Sequence, residues 1–163
     1  MSAVEQLDEL RRLRVRRAEA QLAGWQARCQ QAAAELQCAQ ARVSEALVLL
    51  EDEAGQLQAL LIAGALPVGQ YRSALELLDA LEAQRSHLAQ QAGEASRQLA
   101  EVQAGRDQAQ QHWLRRQLQC EALEPLLQQH ARHQQRAAEA REESLVEDLS
   151  LIHISEPTRR RGI

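Results

Sequence analysis

Apolar and small side chains return every three or four residues along most of the chain. In the first half the run is Ala18, Leu22, Trp25, Cys29, Ala32, Leu36, Ala39, Val43, Ala46 and Leu50. Its steps alternate between four and three, the a/d seam of a coiled coil. Ala54, Leu57 and Leu61 carry the run on after one extra step of four, a stutter expected to unwind the supercoil locally. No proline interrupts, and Gly24 and Gly55 cost only about 1 kcal/mol each in a helix interior. The pattern predicts one helix over about residues 3–62, roughly 90 Å long at 1.5 Å per residue. Such a helix cannot bury its stripe alone and needs a partner. The stripe is rich in Ala and Cys, so the partner should approach closely while burying modest area.

The strongest helix punctuation is the stretch Ala63-Gly64-Ala65-Leu66-Pro67-Val68-Gly69-Gln70. Gly64 can take the left-handed conformation that ends a helix. Pro67 is pre-set for the first turn of the next helix and cannot continue the previous one. The predicted element is a turn over about residues 63–69 between two antiparallel helices.

A second heptad run follows: Tyr71, Ala74, Leu78, Leu81, Leu88, Ala92, Ala95, Leu99, Val102, Ala109, Trp113, Cys120, Leu123 and Leu127. Arg85, Arg106 and Arg116 occupy seam positions within it. Polar seam residues cost stability but can fix register, and the long stems of arginine can still cover the seam. Leu75 and Leu77 widen the apolar face just after the turn. The run predicts a second helix over about residues 70–146, kinked or broken near Pro125, which can itself start a new helical piece. The fold class is therefore all-α, an antiparallel coiled-coil hairpin over residues 1–148. With the turn centred near residues 66–67, paired positions should have numbers totalling about 133. That rule places Trp25 near Gln108, Trp113 near Ala20 and Pro125 opposite Asp8. The stretch past about Arg132 overhangs, and it is acidic: Glu139, Glu142, Glu143, Glu147 and Asp148.

Composition sharpens this picture. The 163 residues include no Phe, and Trp25, Trp113 and Tyr71 are the only aromatics. Dominance of Ala, Leu, Gln, Glu and Arg is typical of long helices and coiled coils. Every positive side chain is Arg, which reads as a GC-rich codon bias. Cys29, Cys38 and Cys120 fit no disulfide or metal spacing and read as free thiols in a reducing compartment. No signal peptide and no apolar stretch long enough to span a bilayer is visible. Composition changes abruptly after Asp148: three of the four Ile and the only Thr lie beyond it. The eleven residues from Leu149 to Arg159 match, codon for codon in one frame, a translated transposon-end sequencing adapter. Residues 149–163 are therefore read as a non-native tail and kept out of the fold reasoning. The net charge of −4 becomes about −6 without the three Arg and one Glu of that segment.

The densest charge cluster is Arg11, Arg12, Arg14, Arg16 and Arg17. At about 100° per residue these surround the helix instead of lining one side. The fold-back should bring Arg115 and Arg116 beside them. The bland reading is a solvated helix end, and the functional reading is a collar for an acidic protein partner. Nucleic acid fits poorly, because the chain is acidic and no aromatics interleave with the arginines. No phosphate loop, GxSxG elbow or CxxC pair occurs. His130 and His133 lie three apart with no third metal ligand nearby and read as solvated. A two-helix rod offers no cleft to perturb a pKa usefully. The chain is read as no enzyme, with no catalytic residue, cofactor or metal.

Three stretches carry a resemblance: the basic run Leu10-Arg11-Arg12-Leu13-Arg14-Val15-Arg16-Arg17-Ala18-Glu19, then Gly69-Gln70-Tyr71-Arg72-Ser73-Ala74-Leu75-Glu76-Leu77-Leu78, then Arg141-Glu142-Glu143. With their order on two long helices, the chain resembles the FliJ/YscO family, the central-stalk proteins of type III secretion and flagellar export ATPases. The likeness covers nearly all of residues 1–148. It implies a hairpin similar to the rotary ATP synthase γ-subunit, with both termini in the pore of the export ATPase hexamer. The collar (Arg11, Arg12, Arg14, Arg16, Arg17, Arg115, Arg116) would then bind the ATPase. It further implies contact with an export-gate protein at the positions matching the family's, Ala74, Leu78, Leu81 and Arg85, and in some members with secretion chaperones. Ala74 stands where the family has a larger aromatic, and Arg85 where it has a His. The implied place is cytoplasmic, peripheral at the base of an inner-membrane secretion apparatus, with no membrane insertion. Two other readings stand beside it: a generic coiled-coil scaffold or dimerisation rod, and a secretion chaperone.

Overall fold

The structure, a computed structural model, describes residues 2–155, with side chains as far as Ile152. It contains α1 (Ala3–Ile62), α2 (Val68–Glu121) and α3 (Glu124–Ser155), and no strand among the described residues. These helices fall into two compact units, one over Arg17–Trp113 and one formed by Met1–Arg16 with Leu114–Ile163. The expected all-α fold is what forms.

The Arg17–Trp113 unit is an antiparallel helical hairpin. On α1 the buried and half-buried positions run Ala18, Leu22, Trp25 and onward to Leu50, as the periodicity predicts. The expected stutter is absent. Glu53 is half-buried, Ala54 is exposed and Leu57 is buried, so the steps of three and four continue unbroken. The pitch of the supercoil keeps the seam in register even where it must accept a carboxylate in place of a methyl group. On α2 the seam runs from Ala74 to Trp113 and includes both Arg85 and Arg106 at half-buried positions. Leu61 and Tyr71, expected on the seam, are exposed, because the seam ends at Leu57 and Ala74 as the helices enter the turn.

The turn is built as the punctuation predicts. Gly64 takes a φ of 68°, a left-handed conformation open to glycine at little cost. Its N–H donates to the Leu61 carbonyl, and the Ala63 N–H donates to the Ala59 carbonyl. The Pro67 carbonyl accepts from the Tyr71 N–H at 3.1 Å, so Pro67 caps α2, which starts at Val68 and not near residue 70.

Pairing across the hairpin is fixed by Trp25. Its six-membered ring lies against the bare backbone of Gly105: a Cβ built there would stand 2.6 to 2.9 Å from three ring carbons. Paired numbers therefore total 130 instead of 133. Trp25 meets Gly105, not Gln108, because the turn is centred on Ala65. The Arg28 guanidinium sits 4.8 Å from the Trp25 ring centroid, a cation–π contact worth about 0.5–1 kcal/mol at an exposed site.

In the other unit, α1 starts with a capping box. The Glu5 N–H donates to Ser2 Oγ at 3.3 Å, and the Ser2 N–H donates to Glu5 Oε2 at 2.8 Å. These reciprocal bonds satisfy donors that a helix start leaves open. The Ser2 amide holds the Glu5 carboxyl below its ordinary pKa. The box is thus fully made above the usual glutamate value and weakens as pH falls below it. The seam continues through Val4, Asp8, Arg11 and Val15 on α1 and through Arg116, Cys120, Leu123, Leu127 and His130. The predicted break near Pro125 occurs at Ala122 and Leu123, which separate α2 from α3. The Leu123 carbonyl accepts from the Leu127 N–H, and Pro125 sits in the first turn of α3, where its missing N–H has no partner to lose. Leu123 is 5% exposed and plugs the break. The expected acidic overhang is present: every described side chain from Ala131 to Ile152 is exposed. Of the segment read as non-native, residues 149–155 continue α3 and residues 156–163 lie outside the described ones.

Two outcomes test this packing. Gly105→Ala gains about 1 kcal/mol of helix propensity but forces Trp25 aside, an overpacking cost of about 1–3 kcal/mol. The single variant should shift the tryptophan emission and should not raise Tm. Adding Trp25→Leu should restore Tm, a non-additivity read by a double-mutant cycle. Spin labels at Gln26 and Gln103, in a chain with Cys29, Cys38 and Cys120 replaced by Ala, should lie within about 20 Å of each other, given an interhelical spacing of roughly 10 Å. A continuous helix would hold them roughly 115 Å apart. Electron paramagnetic resonance of labelled protein diluted with unlabelled protein separates the two.

Candidate functional site

The arginine cluster follows from heptad geometry. Arg12, Arg14 and Arg16 take positions e, g and b of α1, on different sides of the helix, and all three are exposed. Arg115 on α2 is exposed as well. These four belong to the unit containing the first sixteen residues; Arg17, also exposed, belongs to the hairpin unit.

Two of the expected collar members do different work. Arg11 stands at seam position d, is half-buried, and its Nη1 donates to the Gln119 carbonyl across the helix pair. Arg116 is also a half-buried seam residue, and its Nη1 donates to Gln119 Oε1 at 3.2 Å. The Arg11 guanidinium is therefore spent on holding the helices together at Gln119, whereas Arg116 bonds the Gln119 side chain from within its own helix. Arg12 is partly neutralised, because Asp8 lies one turn before it with an Nε–Oδ2 distance of 2.8 Å. Exposed pairs of this kind contribute about 0.3–0.5 kcal/mol and leave the outer face of the guanidinium open.

The four positions that the resemblance assigns to an export gate lie together on α2 in the hairpin unit. Ala74, Leu78, Leu81 and Arg85 are consecutive seam residues, all half-buried. Arg85 folds back on its own helix, where Nε donates to Glu82 Oε2 at 2.8 Å. This contact holds the Glu82 carboxyl below its usual range. The large apolar side chains that face outward nearby are Tyr71, Leu75 and Leu77.

No group of His, Cys, Asp and Glu side chains among the described residues is arranged to hold a metal ion. His130 is half-buried and contributes to the positive surroundings of Glu5. No described helix is long and apolar enough to cross a membrane. Sequence reasoning missed Gly105, whose only signal was its position opposite a seam tryptophan. It also missed the Ser2-x-x-Glu5 box, which was readable as a capping signature.

The division of labour among the arginines is measurable. Arg11→Ala removes a charged donor from between the helices and should lower stability by about 1 kcal/mol. Arg14→Ala and Arg16→Ala should each stay within about 0.5 kcal/mol of wild type, as read by urea unfolding monitored by circular dichroism. Comparison with known proteins finds no family model, no curated protein and no solved structure that matches this chain.

Proposed function

We propose that this chain is a stalk protein of the FliJ/YscO type, which docks in the hexamer of a type III secretion or flagellar export ATPase and links it to the export gate. The reading rests on the resemblance of its three sequence stretches, and one structural observation supports it. Exposed arginines surround the α1–α2 pair in the unit that holds the first sixteen residues: Arg12, Arg14 and Arg16 on α1 and Arg115 on α2. A shaft inside a ring must present charge on every side, whereas a flat partner calls for a one-sided stripe. Rim charges of this kind act mainly on the association rate and are screened by salt. In this reading the chain works by binding and performs no catalysis of its own.

The test is ATP hydrolysis by the cognate export ATPase with wild-type protein and with the combined Arg14→Glu, Arg16→Glu and Arg115→Glu variant. Arg12 is left in place because its reversal would also repel Asp8. Wild type should stimulate hydrolysis, and the variant should need at least about tenfold more protein for the same effect, with the gap narrowing at high salt. Equal stimulation by both, or none by wild type, removes the stalk reading.

A further inference from the structure

The two sides of the hairpin differ next to its turn. In an antiparallel pair the e positions of both helices share one flank and the g positions share the other. Near the turn the e positions of α1 are Leu47, Ala54 and Leu61, and those of α2 are Val68, Leu75 and Glu82. The register set by Trp25 and Gly105 places Leu61 beside Val68, Ala54 beside Leu75 and Leu47 beside Glu82. All six are exposed, with Val68 at 78% of its full surface. On the g flank, by contrast, Leu49 and Leu77 stand among Gln56, Gln70 and Gln84. Farther from the turn the e flank also becomes polar, with Gln26 and Gln40 on α1 and Ser96 and Gln103 on α2.

The apolar flank is therefore confined to two heptads, and the seam beneath it is complete without it. An exposed flank of two packed helices bearing Leu and Val, roughly 20 Å long by the 1.5 Å rise per residue, has the length of a helix-in-groove site. Its border is acidic. Glu51 and Asp79 occupy b positions beside the e rows, with Arg72 the cation at a b position there, while Glu82 at one end is paired with Arg85. A second copy of this chain laid flank to flank would bring these carboxylates together about a two-fold axis. A helix with a basic rim would match them.

We propose that this flank is a docking site for a basic amphipathic helix of another protein, about fourteen residues long, which adds a third helix to the hairpin through Leu47, Leu61, Val68 and Leu75. The site is separate from the half-buried seam positions Ala74, Leu78, Leu81 and Arg85, and it does not rest on the stalk reading.

The probe is a synthetic helical peptide with Leu at a and d and Lys or Arg beside them, compared with the same peptide carrying Glu in place of the cations. Binding to the full chain is followed by fluorescence anisotropy, and self-association by sedimentation. The basic peptide should bind, and the acidic one should bind at least about tenfold more weakly. Leu61→Glu with Leu75→Glu should weaken binding at least about tenfold with helix content unchanged. The g-flank control, Leu49→Glu with Leu77→Glu, should stay within about twofold. Glu51→Gln with Asp79→Gln should weaken binding and flatten its salt dependence. Absence of binding, equal binding of both peptides, or equal loss in the two flank variants overturns the proposal. So does a chain dimer that only the e-flank variant dissolves, since the occupant would then be a second copy.

Discussion

Everything in this protein depends on a seam one side chain wide. Two helices meet along alternating steps of three and four residues. The seam is shallow. Among the described residues only Ala18, Ala32, Leu57 and Leu123 are buried, and most of their neighbours along the seam stay half-exposed. Cohesion is thus spread over many small contacts, each worth little, and an uninterrupted repeat matters more than any one residue. That explains why the seam accepts Glu53 in place of breaking step at Ala54. It also explains why one large ring carries unusual weight. Trp25 fits only because Gly105 presents no Cβ, and this mutual fit sets which residues face each other.

Charges on the seam are dealt with locally. Arg85 pairs with Glu82 and Arg106 with Asp107, each within three residues on the same helix. A guanidinium so paired keeps its stem over the seam and its head at the rim. Register in the hairpin therefore comes from the turn and from Trp25, with the ion pairs of Arg85 and Arg106 playing no part in matching the helices. In the unit that begins the chain the logic shifts: Arg11 crosses from α1 to the Gln119 carbonyl. Outward-facing charge and the apolar flank beside the turn are left for partners, and they lie on different units of the chain.

The sequence by itself determined the helices, the turn and nearly every seam position. A seven-residue repeat leaves no freedom about which side chains face inward, and Gly64 and Pro67 leave little about where the chain reverses. The three seam arginines were legible for the same reason. The tertiary structure alone decided the finer matching. The paired numbers total 130 because Pro67 caps α2 and centres the turn on Ala65, a one-residue choice that composition does not reveal. Gly105 gained its meaning only when the register set it against Trp25. The collar looked uniform in the sequence, yet Arg11 and Arg116 turn inward while Arg14, Arg16 and Arg115 face out. Heptad position separates them, and it governs contact only after a second helix is in place. The apolar e flank is likewise scattered over five positions in the chain and becomes one surface only when the hairpin closes.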